Sequence, residues 1–504
     1  MNQHHPTSPL ADTTARTPND TLRPESVAMS TRRRWLGSAS GIAVSLAMPA
    51  VALAQGSRAT DGSSADAPSA DTSSAGRSSA SRSTDSLSTG IRPALPAGRL
   101  TDLSCQVSAS RLDTLVAAIF NDFNAPTILP AFDSARHGAR FDVQLHRLVA
   151  PLVVPETGES LMLSGLLALP VGAKGPLPVV CWQHGTILSF EQVPSNMLKL
   201  ADPAYAMTDA KDSLETLLNV HRFAGQGYAV IAADYVGKGP FRNGRGEAYA
   251  VKDVTVHTCL RMLEAGESTM QSMGIQRGPL FLNGWSQGAL NTQWLHQELR
   301  RRKIPVAATS VASPFNALSE TMRFWAGAQR FDPPDGLGTY PPIPVWISLC
   351  MIILLGSYEL QYGLKGLLRS AVAPQFRDMA EAYWKTYDLR FDPGKQFPSG
   401  STLLVPNFFD GFTHDLNSAF LRQVAANTAS YWRYDSPIRF HIGLADEAIH
   451  PTLARRALAA GGSQTSEVTV PRASHRGTFL ASLYGDATSL GGKSNAVDWF
   501  DSLR

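Results

Sequence analysis

A serine lies at the centre of a G-x-S-x-G pattern, residues 284–288, between a short apolar run and a helical pattern. A serine hydroxyl becomes available for chemistry when a sharp turn from a strand into a helix exposes it beyond the strand end. The flanking glycines would let the backbone take this turn without Cβ clashes. The apolar residues after the pattern recur at helical spacing: Leu290, Trp294, Leu295 and Leu299. An ordinary Gly-Ser turn is the alternative, and this context favours Ser286 as a nucleophile.

Two downstream loops supply a carboxylate and an imidazole. Asp446 follows an alternating strand pattern at residues 437–442, and His475 follows a second short strand pattern at residues 467–470. We expect both side chains on loops beyond strand ends. The order Ser286, Asp446, His475 is the order found in nucleophile-elbow enzymes. In such a triad the histidine takes the proton of the serine, and the aspartate orients the imidazole.

Each of these partners has an alternative interpretation. Asp446 could be a turn or helix-capping residue, and Glu447 competes with it as the acid. The Gly443-x-x-Asp446 spacing favours Asp446. We select His475 because it follows the last predicted strand, whereas three other histidines could be structural or surface residues: His414, His441 and His450.

A loop after an earlier strand could stabilise an oxyanion. Residues 177–183 form a short apolar run, which predicts a buried parallel strand. The glycine in the His184-Gly185-Thr186 sequence that follows would let the N–H of Thr186 face a reacting carbonyl. The N–H of Gln287, the residue after the nucleophile, would be the second donor. We interpret His184 as a structural residue beneath this loop.

Taken together, these segments resemble the α/β-hydrolase superfamily. The finer pattern is similar to its secreted lipase and esterase branch, with motifs at residues 164–170, 184–186, 234–239 and 284–288. The resemblance covers residues 140–316 and 436–500, and one departure is Ala289, where that branch often has a further glycine. The resemblance implies a carboxylic-ester hydrolase that forms an acyl-enzyme. A serine peptidase or an acyltransferase would use the same residues, and a non-catalytic binding protein is the third alternative.

The strand and helix patterns independently predict the fold class. Strand patterns alternate with helical patterns, which indicates a mostly parallel sheet covered by helices on both faces. We assign residues 99–313 and 436–504 to this α/β core. Residues 314–435 depart from the alternation, and we call this segment the cap. We expect it to be mainly helical and to lie before the strand that carries the acid.

The cap is rich in aromatic and apolar residues. Its most apolar run, residues 345–355, is shorter than the roughly 20 residues that a membrane span needs. No stable membrane span is therefore predicted. The aromatic residues of the cap could form its own core or line a groove for an acyl group: Phe324, Trp325, Tyr340, Trp346, Tyr358, Tyr362, Trp384, Phe408 and Phe409.

The first 54 residues predict export. A twin-arginine pattern at Arg32 and Arg33 precedes a weakly apolar stretch and a small-residue cleavage site at Ala54. This pattern predicts the Tat translocation machinery as a partner and a periplasmic or secreted location. Met29 is an alternative start. Residues 55–98 are rich in Ser, Ala, Thr, Asp and Gly, and we expect a disordered linker there.

The resemblance implies a small-molecule or lipid-like ester as the substrate, and the composition gives no indication of a nucleic-acid partner. The net charge is +3, from 45 Lys and Arg against 42 Asp and Glu. The 4 cysteines lack metal-type spacing, and no cofactor or metal is predicted. We expect Cys181 and Cys259 to be free and buried, while one disulfide among the four remains open.

Overall fold

The computed structural model describes residues 100–388, 398–409 and 415–504. The predicted signal region, residues 1–54, and the predicted linker, residues 55–98, lie outside the described residues. Export and linker disorder therefore stay predictions from the sequence.

One sheet of nine strands organises the described part of the chain, in the order β1-β2-β3-β5-β4-β6-β7-β8-β9. The first three strand pairs, from β1 to β5, are antiparallel, and the pairs from β5 to β9 are parallel. The prediction of a mostly parallel sheet is confirmed. The strands are β1 (Thr101–Val107), β2 (Val143–Val153), β3 (Ser160–Pro170), β4 (Leu177–Gln183), β5 (Ala229–Ala233), β6 (Arg277–Trp285), β7 (Ala308–Ala312), β8 (Ile438–Gly443) and β9 (Thr465–Val470).

Helices cover both faces of this sheet. In the core they are α1 (Ala109–Phe123), α2 (Ser134–His137), α3 (Leu214–Phe223), α4 (Lys252–Ser272), α5 (Gln287–Arg301), α12 (Pro451–Ala454), α13 (Arg456–Gly461), α14 (His475–Tyr484) and α15 (Ala496–Asp501). In the cap they are α6 (Leu318–Trp325), α7 (Ile347–Gln361), α8 (Leu367–Ala371), α9 (Arg377–Thr386), α10 (Gly400–Leu403) and α11 (Asp415–Ala426).

The central strand β4 shows why the sheet needs helices on both sides. Val179 and Cys181 belong to the apolar cluster that contains α4 and α5. Val180 and Trp182 belong to a second cluster, which contains α1, α3 and α14. Every residue of β4 is buried, because successive side chains enter opposite apolar layers. The predicted bounds of this buried parallel strand are confirmed.

The cap is mainly helical, as expected, and enters the fold between β7 and β8. Helix α7 contains most of the apolar run and is buried along most of its length. Ile352 and Leu354 are 0% exposed and lie in the same cluster as the core helices α4 and α5. A Cβ on Gly356 would be 2.4 Å from the Trp384 ring, so α7 and α9 are in close contact. This packing favours the interpretation of the run as cap core.

The four cysteines are free thiols, and Cys181 and Cys259 are buried, as predicted. No helix of the described residues is long and apolar enough to cross a bilayer.

Candidate active site

Ser286 occupies a strained turn between β6 and α5. Its backbone angles are φ 57° and ψ −120°, a combination that a residue with a side chain rarely adopts. Such strain costs about 1–3 kcal/mol and persists only where the surrounding structure holds it. Here the Ser286 N–H donates to the carbonyl of Ala312 at 3.0 Å, at the end of β7. The strand-to-helix turn predicted around Ser286 is therefore present.

The two glycines of the pattern are required by close contacts with neighbouring atoms. A Cβ on Gly284 would be 2.2 Å from Oγ1 of Thr292. A Cβ on Gly288 would be 1.9 Å from the carbonyl oxygen of Gln183, at the end of β4. Any larger residue at either position would push α5 away from the sheet and displace the turn that carries Ser286.

Asp446 and His475 form a direct contact. His475 Nδ1 lies 2.9 Å from Asp446 Oδ1 and 3.0 Å from Oδ2. Asp446 Oδ1 also accepts the N–H groups of Ala448 at 3.0 Å and Ile449 at 2.9 Å. The side chain of Asp446 therefore holds its own turn and also contacts the imidazole.

His475 begins a helix, whereas the sequence pattern placed it on a loop. It is the first residue of α14, and Ser474 caps this helix by accepting the N–H of Gly477. The backbone N–H of His475 donates to Glu447 Oε2 at 2.9 Å. A helix start fixes the backbone of His475 more firmly than a loop would, and Glu447 binds that backbone while Asp446 binds the ring.

Two tryptophans flank the imidazole of His475. The ring of Trp285, the residue before Ser286, lies 5.0 Å from it between centroids, and Trp285 Nε1 donates to the His475 carbonyl at 3.2 Å. The ring of Trp346, from the cap, lies 6.3 Å from it. Among the hydrogen bonds of the described residues, none joins Ser286 Oγ to His475. Ser286 is 8% exposed and His475 4%, so the site is largely covered.

The electrostatics around His475 favour its charged form. Burial opposes the imidazolium, but the charge and hydrogen bond of Asp446, with the charge of Glu447, raise the pKa of His475 above its ordinary value. Burial and the charge of Asp446 raise the pKa of Glu447. A proton taken up by His475 would therefore be stabilised.

The loop after β4, residues 184–187, lies beside the strained turn. A Cβ on Gly185 would be 2.9 Å from the Trp285 ring, so the loop backbone packs directly on the residue before Ser286. Thr186 Oγ1 lies 2.8 Å from the hydroxyl of Tyr249. Gln287 is the first residue of α5, where an N–H has no acceptor within its own helix. The backbones of Thr186 and Gln287 therefore both lie close to the turn of Ser286, as the predicted oxyanion donors require.

His184 is fully buried beneath this loop. Its ring stacks on Tyr235 at 4.1 Å between centroids, and its Nδ1 donates to the Gly185 carbonyl at 2.8 Å. Burial lowers the pKa of His184 to about 4, so the ring is neutral near pH 7. These contacts support the structural interpretation of His184.

Comparisons with known proteins give similarity of structure alone. No family model and no curated protein matches the chain. A candidate hydrolase from Legionella pneumophila has a TM-score of 0.62 and 16% identity, over 80% of this chain and 98% of that one. The rice cell wall degrading esterase LipA from Xanthomonas oryzae has a TM-score of 0.60 and 19% identity, over 81% of this chain and 100% of that one. The chain has the α/β-hydrolase fold.

Within the α/β-hydrolase fold, Ser286 lies on the sharp turn, or elbow, between β6 and α5. The elbow follows β6, and Asp446 and His475 follow β8 and β9, at the carboxyl ends of neighbouring parallel strands. Because these ends meet at one edge of the sheet, three residues distant in sequence converge there.

Several residues near this candidate site were not found from the sequence. Lys238 and Glu247 form a buried ion pair, and Tyr387 of the cap contacts both. Trp346 appeared only as one aromatic residue of the cap, and Glu447 only as a competitor of Asp446. Lys238 lies in the 234–239 motif, which was the one available signal. Within the part of the chain that the structure describes, no group of three His, Cys, Asp or Glu could hold a metal ion.

Proposed function

We propose that this protein is an exported serine hydrolase that cleaves carboxylic esters and belongs to the lipase or esterase type. The observation that carries the proposal is the contact of Asp446 with His475 beside the strained turn of Ser286. An orienting carboxylate, a base and a hydroxyl on a sharp turn at a strand end are the parts that acyl transfer needs.

In the acylation half, Ser286 Oγ attacks the ester carbonyl while His475 Nε2 takes its proton. Asp446 holds the ring so that Nδ1 carries the other proton, and it stabilises the imidazolium. The negative charge that develops on the carbonyl oxygen is met by the backbone N–H groups of Thr186 and Gln287. His475 then gives its proton to the leaving alkoxide, and the acyl group stays on Ser286.

In the deacylation half, water replaces the alcohol. His475 takes a proton from the water as its oxygen attacks the acyl carbonyl, and the same two N–H groups stabilise the second oxyanion. The bond to Ser286 Oγ breaks, His475 returns the proton to this oxygen, and the carboxylic acid leaves.

An apolar acyl or aryl ester fits the surroundings of the site. Trp346 lies beside His475, and its neighbour Val345 is an exposed apolar residue at 50% exposure. Burial of such a group could contribute about 0.8 kcal/mol per methylene. The esterase from Xanthomonas oryzae has the same fold, and we take its ester substrate as the precedent for this proposal.

Export by the twin-arginine route is a separate part of the proposal and rests on Arg32, Arg33 and the small-residue site at Ala54. The Tat machinery carries folded proteins. All four cysteines are free in the structure, so folding before export would require no disulfide formation outside the cytoplasm.

A substrate panel tests the activity. Purified protein and its Ser286→Ala variant are given nitrophenyl esters of increasing acyl length, aminoacyl anilides and a plain amide. Ester turnover that depends on Ser286, without anilide turnover, supports an esterase. Comparable anilide turnover would identify a peptidase. Transfer of the acyl group to an added alcohol in preference to water would identify an acyltransferase.

A further inference from the structure

A buried ion pair lies outside the proposed triad. Lys238 Nζ is 3.1 Å from Glu247 Oε2, and the two side chains are 0% and 1% exposed. Taking two charges out of water carries a large desolvation penalty, so such a pair is weak evidence of added stability. Burial lowers the pKa of Lys238 to about 8, which shows how strongly this environment opposes the charge. Added stability therefore does not by itself account for the pair.

Each member of the pair binds one of the two segments that carry the proposed oxyanion donors. Lys238 Nζ donates to the carbonyl of Ile187 at 3.3 Å, one residue after Thr186. Glu247 Oε1 accepts from Gln287 Nε2 at 3.4 Å. In the described part of the chain, Gln287 Oε1 is buried without a hydrogen-bond partner, so Glu247 is the polar anchor of that side chain.

The same pair also contacts the cap. The Tyr387 hydroxyl donates to Glu247 Oε2 at 3.3 Å, and Lys238 Nζ lies 3.8 Å from the centroid of the Tyr387 ring. The Ser357 hydroxyl, on α7, donates to the backbone carbonyl of Glu247 at 2.8 Å. The ion pair therefore lies between the cap and both donor segments.

We infer that the Lys238–Glu247 pair is a positioning element that couples the cap, through Tyr387, to the backbone donors at Thr186 and Gln287. The inference rests on the proposed function. Oxyanion donors act through their fixed geometry, and a misplacement of about 1 Å can lower the rate roughly 100-fold. Glu247 Oε2 contacts both Lys238 and the Tyr387 hydroxyl, and this double contact fixes the carboxylate whose Oε1 holds the side chain of Gln287. Without the Tyr387 hydroxyl, Oε2 keeps Lys238 alone, so the carboxylate and the side chain of Gln287 are held less rigidly.

A double-mutant cycle tests the coupling. Tyr387→Phe removes the hydroxyl that binds Glu247 and keeps the ring over Lys238. Gln287→Met removes the side-chain anchor and keeps the backbone N–H. Each variant should lower kcat and kcat/KM for a nitrophenyl ester by about 10-fold, since a partly released donor loses only part of its effect. KM should stay within about twofold, as expected for an interaction made in the transition state.

The double variant distinguishes coupling from two independent effects. If Tyr387 acts through Glu247 on Gln287, the double variant should be little slower than Gln287→Met alone. Effects on kcat that multiply would overturn the inference, as would wild-type kcat in Tyr387→Phe. Tyr434→Phe is the matched control, because it removes another buried tyrosine hydroxyl, which donates to Gln293 Oε1 at 3.0 Å. Its kcat should equal that of the wild type.

A second readout does not depend on turnover. A trifluoromethyl ketone forms a tetrahedral oxyanion adduct with Ser286, so its affinity should fall about 10-fold in Tyr387→Phe and in Gln287→Met. The corresponding alcohol, which forms no oxyanion, should bind all variants equally. Equal ketone affinity in the wild type and in Tyr387→Phe would overturn the inference. This comparison decides the question even if Gln287→Met folds poorly, because it does not use that variant. Full ester activity in Ser286→Ala would instead refute the proposed function.

Discussion

Asp446 contacts Nδ1 of His475 through both carboxylate oxygens, at 2.9 and 3.0 Å, while its Oδ1 also holds the N–H groups of its own turn. This arrangement gives the carboxylate little freedom to rotate. The imidazole is therefore oriented by a group that is itself oriented by the backbone. Glu447, the next residue, binds the backbone N–H of His475 and leaves its ring to Asp446.

Ser286→Ala should abolish ester hydrolysis. We expect a loss of turnover of about 10⁵- to 10⁶-fold, because the remaining groups can only assist water. The His475→Ala variant should lose a similar amount. A serine-directed phosphonate should add one equivalent of mass at Ser286 in the wild type and none in Ser286→Ala, as read by mass spectrometry. A Ser286→Ala variant that keeps a tenth of the activity would contradict the mechanism.

Asp446→Asn should fold normally yet lower turnover by about 10⁴-fold through the wrong imidazole tautomer. The amide oxygen can still accept the N–H groups of Ala448 and Ile449, so the turn survives. Glu447→Gln is the matched control, since its amide oxygen can still accept the His475 N–H, and it should lose far less. Steady-state kinetics and circular dichroism measure both effects. A larger loss in Glu447→Gln would assign the acid to Glu447.

The pH profile should report His475. The base must be neutral to accept a proton, so kcat/KM should fall as the pH drops through the pKa of His475. Asp446 and Glu447 raise this pKa, and the acidic limb should therefore lie above the ordinary value of 6.5. In Glu447→Gln the limb should move to lower pH, because one charge that favours the imidazolium is removed. A limb below 6.5 in the wild type would contradict this assignment.

The cap should respond differently to a lysine at a buried and at an exposed position. Ile352→Lys places a charge where the side chain is 0% exposed, and it should destabilise the fold by more than about 4 kcal/mol. Val345→Lys, at 50% exposure beside Trp346, should fold normally. Thermal denaturation measures both. A fully stable Ile352→Lys variant would contradict the core interpretation of this run.

Activity of the wild type should rise with acyl length over short to medium chains, by up to several-fold per methylene, since each buried methylene contributes about 0.8 kcal/mol at most. Val345→Lys should flatten this trend if its apolar side chain contacts the acyl group. The measurement is kcat/KM over a series of nitrophenyl esters. A flat profile in the folded wild type would leave the cap without a role in acyl binding.

The mature protein should begin near Gln55. N-terminal sequencing of the periplasmic form checks the cleavage site. Changing Arg32 and Arg33 together to Lys should leave the protein in the cytoplasm, because the Tat machinery reads the arginine pair. Export at the wild-type level in this variant would indicate the general secretion route.

Local pattern was sufficient for much of the fold and for the three candidate residues. The elbow around Ser286 and the strand β4 are each marked by a pattern of a few consecutive residues. The elbow has glycines on both sides of the serine, and β4 is an unbroken apolar run. Asp446 and His475 could be placed because each follows a strand, and the carboxyl ends of parallel strands meet at one edge. The helix start at His475 was missed because the only local signal was one polar capping residue, Ser474. The residues that follow it show no clear apolar periodicity. Strand β1 was missed because most of its residues are at least partly exposed.

The residues around the triad were decided only by tertiary structure. The sequence analysis assigned no role to Lys238, Glu247 or Tyr387, because no local pattern brings them together. Their contact requires the loop after β5 to meet the end of α9 in three dimensions. The start of α5 joins them through the side chain of Gln287. Trp346 reaches His475 for the same reason. Short-range patterns follow from the geometry of the local backbone, whereas these contacts depend on how the cap packs on the sheet, a property of the whole chain.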